Sequence, residues 1–157
     1  MNPIFTGTSD HTIDAKLRLS VPAKHRGQLE GMQGGNVWCA VPWGVGAIRL
    51  YPKDKYEELS AKGMKWLLPD KDSSELTVGF HGLTEMLEVD AQGRIGLPRR
   101  TLEDADLVDV KDVVIVGCGG WLEIRDRAAW EAARRARVAA LPDLVSKIYS
   151  REGSQNP

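Results

Sequence analysis

The chain contains few of the residues from which metal centres, disulfide frameworks and membrane spans are built. Its 157 residues include two cysteines and three histidines, and neither type shows metal-ligand or C-x-x-C spacing. The apolar runs are too short for a transmembrane helix, and the opening MNPIFTG lacks the basic start and apolar core of a signal peptide. The sequence therefore predicts a cytoplasmic protein with no metal, no cofactor and no membrane partner.

Signatures of catalysis are missing as well. Neither a nucleophile elbow nor H-E-x-x-H occurs. GCGGW, residues 117–121, follows an apolar run as a phosphate-binding loop would, but no Lys-Ser/Thr pair comes after it and the next segment alternates like a strand. It is predicted to be a turn. Cys39 and Cys118 lie in apolar contexts and are predicted to be small, at least partly buried thiols. Nothing supports an enzyme or a small-molecule substrate.

Charge of one sign does not dominate, because 21 basic residues face 22 acidic ones for a net charge of −1. That balance is unusual for a DNA-binding protein, since neutralisation of phosphates supplies most non-specific affinity. The distribution is uneven, however. Acidic residues gather in 54–58 and 70–75, whereas the first 26 residues hold an excess of cations, namely Lys16, Arg18, Lys24 and Arg26 against Asp10 and Asp14.

A repeat is the strongest positive signal. IDAKLRLSVPAKHR, residues 13–26, shares its frame with VDAQGRIGLPRR, residues 89–100. Aspartate, arginine and proline recur 76 positions apart (90−14, 94−18, 98−22). Residues 37–41 then fall on 113–117 at the same offset, and residues 48–59 lie over 122–133. The chain therefore holds two copies of one supersecondary unit.

Each copy is predicted to run strand, turn, strand, short helix, strand, turn, strand, helix. In the second copy, residues 86–89 and 95–97 are predicted to form a hairpin and Pro98 to open a helix through residue 107. The first copy has its helices near residues 24–29 and from Lys53. The segment 62–82 is rich in turn formers, and the chain beyond Pro142 ends in a tail that is predicted to be frayed.

These elements resemble the MraZ family, whose members carry two SpoVT/AbrB-type motifs. The resemblance rests on FTG near the start, on D-x-K-x-R then V-P-x-x-x-R, and on D-x-Q-G-R then L-P. It implies a mainly β fold with short helices (α+β), a double-split β-barrel of two interleaved AbrB-like swapped-hairpin motifs. The motifs are assigned to residues 5–58 and 83–131, with a linker at 59–82 and a C-terminal helix and tail at 132–157; the two motifs form one compact domain.

The function that the resemblance implies is sequence-specific binding of double-stranded DNA by a nucleoid-associated transcriptional regulator. It further implies a ring-shaped homo-oligomer on direct repeats upstream of a cell-division and cell-wall operon. The residues expected to bind DNA are Lys16, Arg18, Lys24, Arg26 and Arg94, with His25 extending the basic strip. The residues expected to shape the motif are Asp14, Asp90 and Gly93, the glycine supplying a positive φ.

Two features depart from the family pattern and keep alternatives open. Leu17 stands where the family usually places glycine, so the first loop is predicted to be reshaped, and the linker is acidic. Asp14 and Arg18 could also pair across their own turn without touching a ligand. A ring-forming scaffold with lost or altered DNA recognition is therefore the second hypothesis. An AbrB-like antitoxin is more distant, because such proteins typically carry one motif. The aromatic residues are predicted to be core or subunit interface: Trp38, Trp43, Tyr56, Trp121 and Trp130.

Overall fold

The computed structural model describes residues 3–63 and 70–154. The first copy of the repeat contains β1 Thr8–Thr12, β2 Arg18–Ser20, α1 Ala23–Gly27, β3 Val37–Pro42, β4 Ala47–Pro52 and α2 Lys53–Gly63. After α3 Lys71–Gly82, the second copy contains β5 Glu85–Glu88, β6 Arg94–Gly96, α4 Arg99–Asp104, β7 Asp112–Gly117, β8 Leu122–Asp126 and α5 Arg127–Ser154.

The strands form a six-stranded sheet in the order β1-β7-β8-β4-β3-β5 and a separate ribbon of β2 and β6. Every strand pair is antiparallel. Strands β1–β4 of the first copy correspond in order to β5–β8 of the second. When each strand is replaced by its counterpart, the sheet order is the same one read from the opposite end. The centre of that exchange lies where Arg49 faces Glu123 in the sheet and where Leu19 faces Ile95 in the ribbon. The two copies are thus related by an approximate two-fold axis.

Two predictions about the strands need correction. The predicted hairpin of residues 86–89 and 95–97 is wrong, because β5 pairs with β3 while β6 pairs with β2. The alternating pattern fits either arrangement, and the observed one buries Leu19 and Ile95 completely. The mixed α+β class is confirmed, but β1 and β5 are the two ends of the sheet, and no closed barrel is found among the described strands.

The main core lies beneath the sheet and ribbon. Its strands contribute alternate side chains that are fully buried, among them Trp38, Ile48, Leu50, Ile115, Leu122 and Ile124. Alternation directs one set of residues inward and leaves the next set for the opposite face. On that face, Cys39, Val41, Tyr51 and Tyr56 form a second buried cluster. Both cysteines are free thiols, as predicted, and burial raises the pKa of each to about 11.

The helices differ from the predictions at both ends of the second copy. Of the linker, predicted as a turn-rich segment, residues 59–63 belong to α2, residues 64–69 lie outside the described part, and residues 71–82 form α3. The first turn of α3 is capped because the Asp70 carboxylate accepts a hydrogen bond from the Ser73 N–H at 2.8 Å. The predicted frayed tail is helical as far as Ser154, since α5 continues through Pro142, and residues 155–157 lie outside the described part. Among the described helices, none combines the length and apolar character needed to cross a membrane.

Candidate nucleic-acid interface

Asp14 organises the turn that leads into β2. Its Oδ1 accepts hydrogen bonds from the backbone N–H groups of Lys16, at 2.9 Å, and Arg18, at 2.8 Å, and its Oδ2 accepts the Arg18 Nε–H at 2.8 Å. The backbone hydrogen bond from Arg18 contributes most to holding the pKa of Asp14 below its usual range. The carboxylate therefore stays ionised and fixes the orientation of the Arg18 side chain.

Asp90 builds the same turn before β6. Its Oδ1 accepts from the N–H groups of Gln92 and Arg94, both at 2.9 Å, and its Oδ2 accepts the Arg94 Nε–H at 3.0 Å. The pKa of Asp90 is likewise lowered, chiefly by the backbone hydrogen bond from Arg94. Corresponding distances in the two turns agree within 0.2 Å, so the shared sequence frame produces one shared structure.

The predicted reshaping of the first turn by Leu17 is wrong. Leu17 adopts the left-handed conformation with φ 60°, close to the 79° of Gly93. The Leu17 N–H donates to the Asp14 carbonyl at 2.9 Å, as the Gly93 N–H donates to that of Asp90 at 3.0 Å. A leucine in this conformation costs about 1–2 kcal/mol, and the packing of its half-buried side chain against the main core offsets that cost.

Arg26 braces the second turn. Its Nε donates to the Val21 carbonyl at 2.9 Å, and its guanidinium lies over Gly93, where an added Cβ would stand 2.6 Å from the Arg26 Cζ. In the other copy, Leu17 corresponds to Gly93 and Leu102 to Arg26 (93−17 and 102−26). The residue that corresponds to Arg26 is therefore a leucine, which has no guanidinium to lie over the first turn.

Gly93→Ala should lower the free energy of unfolding by about 1–3 kcal/mol, because it combines a positive φ with a clash against Arg26. Urea unfolding measures the change. Gly96→Ala is the matched control, since Gly96 lies three residues further on, in β6, with nothing within 4 Å of an added Cβ. Equal stability of the two variants would show that the contact between Arg26 and Gly93 is unimportant.

The ribbon presents two arginines on its outer face. Leu19 and Ile95 point into the core, so the alternate residues Arg18 and Arg94 point away from it. Arg18 stands opposite Gly96, and Arg94 stands opposite Ser20. The small partners leave part of each arginine exposed, and the two-fold arrangement makes the two arginines diagonal neighbours with Cα atoms roughly 7–8 Å apart. Two like charges this close favour an anionic ligand.

The aspartates occupy only one edge of each guanidinium. Within the described part of the chain, the two η nitrogens of Arg18 have no hydrogen-bond partner, and Arg94 makes only a 3.4 Å contact from Nη2 to Gln92. About 30% of each arginine side chain is exposed, 33% for Arg18 and 28% for Arg94. Each arginine is therefore aligned by its aspartate while two donors remain for a phosphate or a guanine edge.

The other predicted contact residues differ in their surroundings. Lys16 is exposed at the tip of the first turn, and Lys24 is exposed on α1 with its Nζ donating to the Thr6 carbonyl at 3.3 Å. His25 does not extend the basic strip, because it is 2% exposed and lies edge-on to the Phe5 ring. Burial lowers the pKa of His25, which favours the neutral imidazole.

Sequence reasoning missed a charged cluster on the two-fold axis of the sheet. The buried Glu123 accepts hydrogen bonds from Trp121 Nε1 at 2.9 Å and from Arg125 Nη2 at 2.7 Å, and it lies 3.3 Å from Arg49 Nε. The Arg49 guanidinium is sandwiched between the rings of Trp43, at 3.8 Å, and Trp121, at 4.5 Å. The sequence signal that could have indicated this cluster is the alternation of apolar and charged residues in LEIRD, residues 122–126. No group of described residues could hold a metal ion.

Comparison with known proteins gives matches that extend over both copies of the repeat. The family described as "MraZ protein, putative antitoxin-like" matches residues 4–73 and 80–140. A "Transcriptional regulator MraZ" from Heliobacterium modesticaldum is 31% identical over 145 residues, covering 92% of this chain and 96% of that protein. The protein of that name from Ligilactobacillus salivarius is 35% identical, covering 82% and 85%. The one from Methylobacillus flagellatus is 34% identical, covering 89% and 95%.

Proposed function

The chain belongs to the MraZ family, and on that premise we propose that it is a transcriptional regulator that binds double-stranded DNA through the outer face of the β2–β6 ribbon. The shared name of its relatives supports a role in transcription. The observation that carries the proposal is the pair formed by Arg18 and Arg94, each held by its own aspartate and both on one face.

This arrangement suits DNA for reasons of geometry. A two-stranded ribbon fits the major groove of B-DNA, and a guanidinium that keeps two donors free can bind guanine O6 and N7 bidentately or bridge phosphate oxygens. Pre-alignment by Asp14 and Asp90 lowers the entropy that the arginines lose on binding. Lys16, exposed at the tip of the first turn, adds a cation that can reach the DNA backbone.

One copy of the chain should bind weakly. Its net charge is −1, and each arginine of the ribbon already has a carboxylate beside it. We therefore propose that a ring-shaped homo-oligomer engages direct repeats upstream of a cell-division and cell-wall operon, as the family resemblance implies. Once one copy is bound, its neighbours bind at high effective concentration, which raises the avidity without new contacts.

The scaffold hypothesis loses one of its two supports. Leu17 keeps the left-handed turn, so its presence does not argue against recognition of DNA. The acidic character of Asp70, Asp72 and Glu75 remains, but these residues lie at the start of α3, which is separate from the ribbon strands. The regulator is therefore the function that the geometry supports best.

The direct experiment is a mobility shift with the DNA that lies upstream of the chain's own gene. We expect a discrete complex with intact repeats, a much weaker one with scrambled repeats, and an affinity that falls steeply as salt rises. Equal binding to intact and scrambled DNA, or no binding at low salt, would exclude specific recognition and leave the scaffold hypothesis.

A further inference from the structure

The distal half of α5 carries an apolar stripe that no described residue covers. Its six side chains are 48–69% exposed, and we call them the α5 stripe: Val138, Leu141, Leu144, Val145, Ile148 and Tyr149. Positions 138, 141, 145 and 148 follow the 3-4-3 spacing of a heptad seam. A contiguous apolar face of this kind on a protein surface marks an interaction site.

The helix itself needs a partner at this point. From Arg134 to Ser154 every residue except Ala140 is exposed, so the body of the protein gives this segment little support. Pro142 lies inside it and removes the hydrogen bond to the Val138 carbonyl. Beyond Pro142 the helix has 12 more residues, 143–154, and an isolated helix of that length is marginal in water. Packing of the α5 stripe against a second surface supplies the missing stabilisation.

We propose that the α5 stripe packs antiparallel against the α5 stripe of a second copy of this chain. In the seam, Val138 faces Ile148 of the second copy and Leu141 faces Val145, and each contact occurs twice about a two-fold axis level with Asp143. Six half-exposed side chains from each helix provide on the order of 1,000 Å² of buried surface, the size at which specific interfaces begin.

Charge determines the direction of the pair. One layer beyond the apolar contacts, an antiparallel seam places Arg134 opposite Glu152 at both ends, whereas a parallel seam would place Arg134 against Arg134 and Glu152 against Glu152. Arg137 and Arg151 flank each other in the antiparallel pair, but the Arg137 guanidinium is turned back over the Trp130 ring at 4.6 Å. The stripe is therefore self-complementary in the antiparallel direction only.

This contact goes beyond the proposed function and does not depend on DNA. A contact between identical surfaces joins two copies and stops, whereas a ring requires a contact between two different surfaces. The α5 pair therefore couples two copies, or two rings, back to back. Its loss halves the mass of whatever assembly the ring contact forms.

The first test introduces a charge into the seam. Leu141→Glu should halve the weight-average mass measured by light scattering at micromolar concentration, while Ser146→Glu, which adds the same charge on another side of the helix, should leave it unchanged. Both positions are exposed, so both variants should keep the folded body of the protein, and Leu141→Glu alone should lose the stabilisation that pairing gives to α5. An unchanged mass for Leu141→Glu would overturn the pair, and so would a monomeric parent chain.

The second test uses charge reversal. Arg134→Glu and Glu152→Arg should each weaken the association, and the double variant should restore it, because the reversed charges still meet in an antiparallel pair. Failure of the double variant to restore the mass would overturn the antiparallel seam. If the parent chain binds anionic lipid vesicles, and Leu141→Glu leaves the mass of the assembly unchanged, the stripe binds a membrane and not a second copy. Leu141→Glu should still bind DNA. If the parent chain itself fails to bind DNA, that result contradicts the proposed function and does not bear on the α5 pair.

Discussion

Arg18→Ala or Arg94→Ala should abolish specific DNA binding while the fold and the assembly stay intact. Loss of one bidentate contact costs roughly 1–3 kcal/mol, which is about 5- to 150-fold in affinity, and an assembly that engages several repeats multiplies the loss. Stability should change little, because each arginine belongs to a partly exposed ion pair and its aspartate keeps two backbone donors. A mobility shift and a thermal melt on the same preparation measure both quantities.

Two control variants make this result specific. Lys62→Ala removes a cation that also pairs with a carboxylate four residues away, Glu58 at 2.8 Å, but on α2, and should leave DNA binding unchanged. Arg18→Lys keeps the positive charge but loses the bidentate pair of guanidinium donors. A contact to phosphate should therefore survive this substitution, whereas a bidentate contact to guanine should be lost. A large drop in melting temperature for Arg18→Ala would make Arg18 a structural partner of Asp14. Unchanged DNA affinity would overturn its assignment.

Glu123→Ala should have the largest effect on stability, lowering the free energy of unfolding by about 3 kcal/mol. The substitution leaves Arg49 and Arg125 without their shared carboxylate and Trp121 without its acceptor. The estimate lies at the lower end for a buried ion pair because 34% of the Arg125 side chain is exposed. Glu88→Ala, which removes an exposed glutamate from the edge strand β5, should stay within about 0.5 kcal/mol of the parent.

Acid should reproduce part of this loss. Burial alone would raise the pKa of Glu123, but hydrogen bonds from Trp121 and Arg125 and the charges of Arg125 and Arg49 outweigh it and hold the pKa below the usual range. The stabilisation is therefore complete above the ordinary pKa of glutamate and is lost as the pH falls through the lowered value. Urea unfolding across pH 3–6 should show a smaller acid dependence for Glu123→Ala; equal dependence would contradict this account.

The parts of the fold that could be predicted are those set by neighbouring residues. Asp14 and Asp90 bind groups no more than four positions away, so the repeated frame alone specified both turns. The strand that pairs with β2 could not be predicted in this way. A hairpin within one copy and a pairing of β2 with β6 of the other copy both require the same alternation of apolar and polar residues. Leu17 was misjudged for a related reason, since its compensation is the main core rather than its neighbours in sequence.

The site shows the same division. Arg18 and Arg94 were identified from the repeat, but their placement on one face follows from the pairing of β2 with β6. Arg26 and His25 looked alike as cations beside the motif, whereas the structure places one against Gly93 and the other in the core. The cluster around Glu123 joins β4 to β8; Trp121 and Arg125 are its neighbours in sequence, but Arg49 lies 74 positions away (123−49), too far for any local pattern to connect it to Glu123.

The ribbon also has a consequence for synthesis of the chain. Ile95 is made 76 residues after Leu19 (95−19), and at about 5–20 residues per second this is a delay of roughly 4–15 s. Throughout that interval β2 has been translated while β6, its pairing strand, has yet to be made. Prematurely terminated chains that stop before β6 therefore carry Arg18 without the strand that pairs with β2, and under the proposed function we expect them not to compete with finished protein for DNA.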